Sequence, residues 1–232
     1  MITAPLRFHD GHPVVTLEDA DFLVDTGCPF SFGSVGAVVV DGRRHALGGP
    51  EGVGPFNLHA VQTLAGRVVG VLGMDVVGER AWTFDVERHE LRVGEGAEAA
   101  PATAHVEISS QGAPIIAAGH ERILFDTGAR LAFRIGAIPD GSTAAGEATD
   151  YSPFLGHFQT PVWQQTVVVA GIPVPVRFGV LPAKGEALLR MLNVNWIIGQ
   201  DLLRAGCVTL DTQRRRLGLH PAKRSGNCGE ES

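Results

Sequence analysis

The stretches FLVDTG at 22–27 and ILFDTG at 123–128 decide how this chain is read. Each is an apolar run that ends on Asp-Thr-Gly. A carboxylate at the end of a buried strand is costly unless something uses it. The strand holds the Asp rigidly, and the Gly lets the chain turn and leaves room beside the carboxylate. Two such carboxylates brought face to face cannot both ionise. They would share one proton, titrate as a unit and activate one water.

The two copies have matching surroundings. Fourteen residues before each Asp lies Gly-x-Pro-apolar-apolar, GHPVV at 11–15 and GAPII at 112–116, and Phe32 matches Phe133 downstream, all at an offset of 101. Further on, VLGMDVVGERAWTFDVERHELRV at 71–93 reads against IIGQDLLRAGCVTLDTQRRRLGL at 197–219. This second match pairs Gly73 with Gly199, Asp75 with Asp201, Asp85 with Asp211 and Leu91 with Leu217, at an offset of 126. Matched punctuation at a fixed period reads as an internal duplication. The offset grows from 101 to 126, so the second copy carries 25 extra residues. AVVVDG at 37–42 resembles TVVVAG at 166–171, which places the surplus within about 134–165, IPDGSTAAGEATDYSPFLGHFQTPVW.

A chain of 232 residues accommodates one large or two small domains with a real core, and 44% hydrophobic with 19% charged residues reads as a soluble globular protein. The net charge of −6 argues against nucleic acid or an anionic membrane as partner. Arg214, Arg215 and Arg216 form a basic cluster, placed by the pattern at a solvated hairpin turn. The first twelve residues lack the apolar stretch of a signal peptide, and no run reaches the length of a membrane span. Three Cys imply no disulfide framework, and the nine scattered His form no zinc motif. The expectation is a cytoplasmic protein without metal or cofactor.

Short Val- and Ile-rich runs bounded by Gly and Pro read as strands, so the fold class expected is mainly β. VVVDGRRHAL and VVVAGIPVPV read as hairpins turning at Asp-Gly and Ala-Gly, and FDVERHELRV and LDTQRRRLGL as strand pairs with polar turns. EALLRML at 186–192 is a short helix, with VQTLAG at 61–66 in the equivalent place. GEGAEAAPATA at 94–104 fits a linker, and the segment from about 221 a disordered tail. This divides the chain into halves at 1–98 and 99–220, with a tail at 221–232. GGPEGVG at 48–54 lacks a Lys-Ser/Thr ending and is a plain loop. Asp75, Asp85, Asp201 and Asp211 are read as capping or turn residues, and Trp82, Trp163 and Trp196 as core or cleft-wall aromatics.

Apolar-apolar-x-Asp-Thr-Gly followed by apolar-apolar-Gly, here LVDTG with VLG at 71–73 and LFDTG with IIG at 197–199, resembles the aspartic peptidases. GMDVV and GQDLL look like the retropepsin-like branch, and two halves in one chain look like the pepsin arrangement. In that family the apolar-apolar-Gly strand threads beside the active Asp. The resemblance implies a two-lobed aspartic-peptidase (acid protease) β-barrel fold with pseudo-two-fold symmetry. It implies Asp25 and Asp126 as the catalytic pair of an endopeptidase, Thr26 and Thr127 as a cross-lobe hydrogen-bond network, and Gly27 and Gly128 as supporting residues. It also implies a flap over the substrate. The surplus falls where a flap belongs, so one flap is expected, within 149–165, with Tyr151, Phe154, Leu155 and Gly156 against a peptide or protein substrate. Both Asp lie in one chain, so a monomer suffices.

The chain departs from the family after Asp-Thr-Gly. Pepsins place Ser there and retropepsins Ala, whereas Cys28 and Ala129 follow here. Neither is a good hydroxyl donor, and losing such donors raises a carboxyl pKa, so the expected optimum is nearer neutral than that of pepsin. Cys28 is read as a small buried filler. Two other readings stay open: the same acid–base pair acting on a small molecule by cyclisation, isomerisation or hydrolysis, and an inactive peptide-binding module.

Overall fold

The computed structural model describes residues 1–54, 56–94, 96, 100–152 and 155–222. The protein is mainly β. Its first half runs β1 (Ile2–His9), β2 (His12–Leu17), β3 (Ala20–Val24), β4 (Phe32–Gly33), β5 (Ala37–Val40), β6 (Arg43–Ala46), α1 (Leu58–Ala65), β7 (Gly70–Leu72), α2 (Met74–Val77), β8 (Ala81–Asp85) and β9 (Glu90–Val93). Its second half runs β10 (Ala102–Ile108), β11 (Pro114–Ala118), β12 (Glu121–Phe125), β13 (Ala132–Arg134), β14 (Thr143–Ser152), β15 (Gly156–Val169), β16 (Ile172–Val180), α3 (Ala183–Met191), β17 (Trp196–Ile198), α4 (Gln200–Arg204), β18 (Gly206–Asp211) and β19 (Arg216–Pro221).

Pairing in the two halves follows one plan. β2 and β3 form an antiparallel hairpin, β3 runs parallel to β7, and β4 runs antiparallel to β7. β11 and β12, β12 with β17, and β13 with β17 repeat these relations. A short helix follows each closing strand, and then a hairpin, β8–β9 or β18–β19. The hairpins join through β8 and β18, and with β1 and β10 outside them they form a sheet ordered β1-β9-β8-β18-β19-β10. At its middle Thr83 faces Thr209, the residue an offset of 126 assigns to it, and their buried hydroxyls lie 2.8 Å apart.

Strand alternation builds the core. Burial along β15 alternates strictly at its C-terminal end, and the inward Val167 and Val169 join the main cluster with Val174, Val176 and Phe178 of β16. Fully buried Phe22, Phe125, Trp82 and Trp196 anchor the same cluster. Each such side chain contributes about 1.5–3 kcal/mol on burial.

The hairpin turns fall where the sequence places them. Asp41-Gly42 and Ala170-Gly171 have positive φ at both residues, as a two-residue turn with right-handed strand twist requires. Arg214 and Arg215 lie at the β18–β19 turn, where Asp211 Oδ1 accepts the Arg214 N–H at 3.0 Å; Asp85 accepts from Arg88 N in the same way. Some boundaries differ. α3 begins at Ala183 and α1 at Leu58, each three residues before the segment read from the sequence. β10 begins at Ala102, inside the stretch read as linker, because its backbone pairs with β19 from Ala102↔Leu219 onward. Pro221 belongs to β19, and the Ala222 N–H donates to Ala205 O at 2.9 Å, so order extends past 221. The expected boundary at 98/99 and the tail from 223 lie outside the described residues.

Candidate active site

Each Asp-Thr-Gly follows its strand directly and is gripped by a neighbouring strand. The Asp25 N–H donates to Leu72 O at 3.0 Å and the Asp126 N–H to Ile198 O at 3.2 Å, so the apolar-apolar-Gly strands β7 and β17 hold the two Asp backbones. Beyond each Gly, Met74 N donates to Cys28 O at 2.8 Å and Gln200 N to Ala129 O at 3.2 Å. Ser31 adds a brace in the first half: its hydroxyl accepts from Gly73 N at 2.9 Å and donates to Asp75 Oδ1 at 2.5 Å.

The two loops then lock onto one another. Thr26 and Thr127 are completely buried. Thr26 N donates to Thr127 Oγ1 and Thr127 N to Thr26 Oγ1, both at 3.0 Å. Each hydroxyl passes its own proton to the opposite strand, Thr26 to Phe125 O at 2.6 Å and Thr127 to Val24 O at 2.7 Å. Every polar atom of this buried square has a partner, as a dry centre demands.

This lock sets the carboxyls face to face. A Cβ on Gly27 would lie 2.5 Å from each carboxyl oxygen of Asp126, and a Cβ on Gly128 would lie 2.8 Å from each carboxyl oxygen of Asp25. Only hydrogen fits at either place, so each Gly makes room for the opposite Asp. The two carboxyls are close enough to shift each other's titration. Asp25 accepts from Gly27 N at 2.9 Å and Cys28 N at 3.1 Å, and Asp126 from Gly128 N at 2.9 Å.

Both carboxyls keep a little surface exposure yet are walled in by protein. Burial raises the pKa of Asp25, and the Gly27 and Cys28 N–H groups offset part of this. Asp126 is pushed well above the usual carboxylate range, by burial first and then by the Asp25 carboxylate beside it. The pair therefore keeps one proton, and the backbone N–H groups of Gly27 and Cys28 on one side and of Gly128 and Ala129 on the other stabilise its single charge. Desolvation is the main cause of the rise. The absent hydroxyl after Asp-Thr-Gly matters less, since backbone N–H groups take its place. Cys28 is buried, its Sγ donates to Phe30 O at 3.1 Å, and burial pushes its thiol up, so it is an inert filler.

The segment read from the sequence as a surplus lies in a long antiparallel hairpin, β14–β15, paired from Thr143↔Gln164 to Ser152↔Gly156. Tyr151 packs on its cross-strand neighbour His157, with ring centroids 5.1 Å apart. Leu155 Cδ1 lies over Gly185 of α3, 3.3 Å from where a Cβ would stand, and Gly156 opens β15 with φ of 70°. These contacts lie within the second half, and among the described residues none joins Tyr151, Leu155 or Gly156 to the Asp pair. Phe154 lies outside the described residues.

Two residues that flank the Asp126 loop had no sequence signal of their own. Arg130, four residues after Asp126, reaches Asp10 of the first half and the backbone of β14. His12, in the GHPVV segment, is buried and faces the Gly128 backbone; burial and the Arg130 charge lower its pKa, so it stands neutral. Among the described residues no three His, Cys, Asp or Glu cluster as a metal ion would require, and no helix is long and apolar enough to cross a membrane.

No family model matches this chain, and no curated protein matches it. Among solved structures, the chain is similar to that of the aspartic proteinase from Irpex lacteus, at 13% identity and a TM-score of 0.44, with 95% of this chain and 97% of that one covered.

Proposed function

We propose that the protein is an aspartic endopeptidase, with Asp25 and Asp126 as its catalytic pair. The observation that carries this reading is the mutual nesting of the two carboxyls, each beside the Gly of the opposite Asp-Thr-Gly. On this reading a water sits between them. Asp25, ionised, takes a proton from the water as its oxygen attacks the scissile carbonyl carbon. Asp126, protonated, gives its proton to the carbonyl oxygen, and a tetrahedral diol forms. The C–N bond then breaks as the nitrogen takes the proton from Asp25 and a diol hydroxyl gives its proton to Asp126, so a carboxylic acid and an amine leave and the pair is back in its single-proton state. The raised carboxyls support this, because one proton must stay on the pair while the other site is empty.

The wider reading follows from the same repeat. Residues 1–98 and 99–220 are two lobes related by a pseudo-two-fold axis, supported by the meetings of Thr26 with Thr127 and of Thr83 with Thr209. The β14–β15 hairpin is the flap. One chain supplies both Asp, so the active unit is a monomer and its partner a peptide lying extended between the lobes.

The test is cleavage of a mixed peptide library by the wild type, Asp25→Asn and Asp126→Asn between about pH 3 and pH 8. The expected result is turnover by the wild type and a loss of at least about a thousandfold in either variant. Turnover unaffected by both substitutions would overturn the assignment. A wild type that cuts no peptide, yet binds a statine-type transition-state inhibitor through the pair, would move the pair's chemistry to a small molecule.

A further inference from the structure

One cation in the loop that follows Asp126 has no repeat counterpart. Arg130 follows Asp126 by four residues, and the equivalent position of the first copy holds Pro29. Its guanidinium serves both halves. Nη1 donates to Asp10 Oδ2 at 3.2 Å, in the turn between β1 and β2. Nη2 donates to Thr149 O at 2.8 Å and stands 3.5 Å from Asp150 Oδ1, both on β14.

β14 needs such a tether. Its ladder runs against β15 alone among the described residues, so its other edge has no strand beside it. Thr149 and Asp150 sit immediately before the hairpin tip. An isolated surface ion pair would hold little there, and Asp10 is 67% exposed. Asp150 is different: its side chain is only 10% exposed, and Arg130 is its ion-pair partner. Removing that cation leaves a mostly buried carboxylate at the root of the tip without its ion-pair partner, with the Tyr151 N–H at 2.9 Å still donating to it. A planar guanidinium holds several acceptors in one fixed geometry, which an ammonium cannot.

We propose that Arg130 is a positioning residue. It sets the β14–β15 hairpin against the Asp126 loop and the β1–β2 turn, and so sets how an extended substrate approaches the Asp pair. This role presupposes that the pair is the catalytic centre proposed above. It also predicts that the hairpin is governed from one side only, since Pro29 offers nothing equivalent.

The test combines amide hydrogen exchange with peptide-cleavage kinetics on the full chain, comparing wild type with Arg130→Gln, Arg130→Lys and Asp10→Asn. In Arg130→Gln, exchange should rise about tenfold across 143–152, 155–169 and the β1–β2 turn together, with 22–27 and 123–128 unchanged. KM should rise about tenfold, with kcat within about threefold. Lys should fall between Gln and Arg. Asp10→Asn, at an exposed position, should loosen the turn more than the hairpin. Hairpin exchange at the wild-type level in Arg130→Gln overturns the proposal, as does a loss confined to kcat. If the wild type cleaves no peptide, the catalytic reading fails, and the exchange comparison alone decides whether Arg130 couples the hairpin to the turn.

Discussion

Thr26 and Thr127 exchange two hydrogen bonds of equal length, each backbone N–H donating to the other's hydroxyl at 3.0 Å. Both residues are completely buried, so nothing else can satisfy these groups. Thr→Val at either position keeps the shape and removes one hydroxyl, which orphans an N–H and a carbonyl that both belong to the opposite half. The expected loss is about 2–3 kcal/mol of unfolding free energy, and Thr→Ser should lose only about 1 kcal/mol. Urea denaturation of the four variants measures both. Equal losses for Val and Ser would show that the methyl group, and not the hydroxyl, holds the loops.

Gly27 and Gly128 are the positions where the two halves come too close for any side chain. Gly27→Ala puts a methyl 2.5 Å from each carboxyl oxygen of Asp126, and Gly128→Ala puts one 2.8 Å from those of Asp25. The carboxyl must move, and a displacement of this size should lower kcat/KM by about a hundredfold or more. The fold should survive with an overpacking cost of about 1–3 kcal/mol. Circular dichroism beside kinetics separates the two effects. Undiminished turnover in both variants would mean that the facing carboxyls do not matter to the reaction.

The pair also makes stability depend on pH. Asp126 is held well above its ordinary value, so between about pH 4, where it titrates when unfolded, and its raised folded value the native state binds the extra proton. That contribution is fully present below about pH 4 and is lost as pH rises. Asp126→Asn removes it. The stability of the wild type relative to Asp126→Asn should therefore fall steadily from about pH 4 to pH 7, read by urea denaturation at several pH values. A wild type that gains on the variant with rising pH would reverse the sign assigned to Asp126. The same retained proton places optimal activity nearer neutral than pepsin's, and an optimum below about pH 3 would contradict it.

Asp201 should behave in the same direction for a separate reason. It sits in the first turn of α4, its carboxylate accepts from Arg177 N at 3.2 Å, and burial pushes it up to about 6. The carboxyl's contribution is present below about pH 4 and is lost as pH passes 6. Asp201→Asn should thus become more stable relative to wild type, by about 1 kcal/mol, between about pH 4 and pH 7. Its peptide cleavage should be unchanged at neutral pH, since the carboxyl braces β16 and, among the described residues, no hydrogen bond or ion pair joins it to the Asp pair. A large fall in kcat would tie Asp201 to the chemistry.

The centre of the site was legible because the chain states it twice. Asp25, Thr26 and Gly27 recur as Asp126, Thr127 and Gly128 on one register, and matched VLG and IIG strands told where each loop would be held. The turns at Asp41-Gly42 and Ala170-Gly171 were equally plain, since local chemistry settles them. The flanks were not. Asp10 and Arg130 are 120 residues apart and neither recurs at the matching position of the other copy, so no periodicity links them. His12 stood at the unmatched position of GHPVV, and only packing shows its ring at the Gly128 backbone. The start of β10 at Ala102 was missed because a Pro- and Ala-rich composition says linker, whereas β19 supplies backbone partners that override it.

By itself, then, the sequence determined the two carboxylates, the residues that accompany them, the β class and the position of the surplus in the second copy, all of which rest on local patterns and their repetition. Only the tertiary structure decided that each carboxyl lies in the space left by the opposite Gly, that the threonines close a buried square, and that the long hairpin is tied to the first half through Arg130. Those facts depend on distances between segments about a hundred residues apart, and such distances are set by the packing of the whole chain.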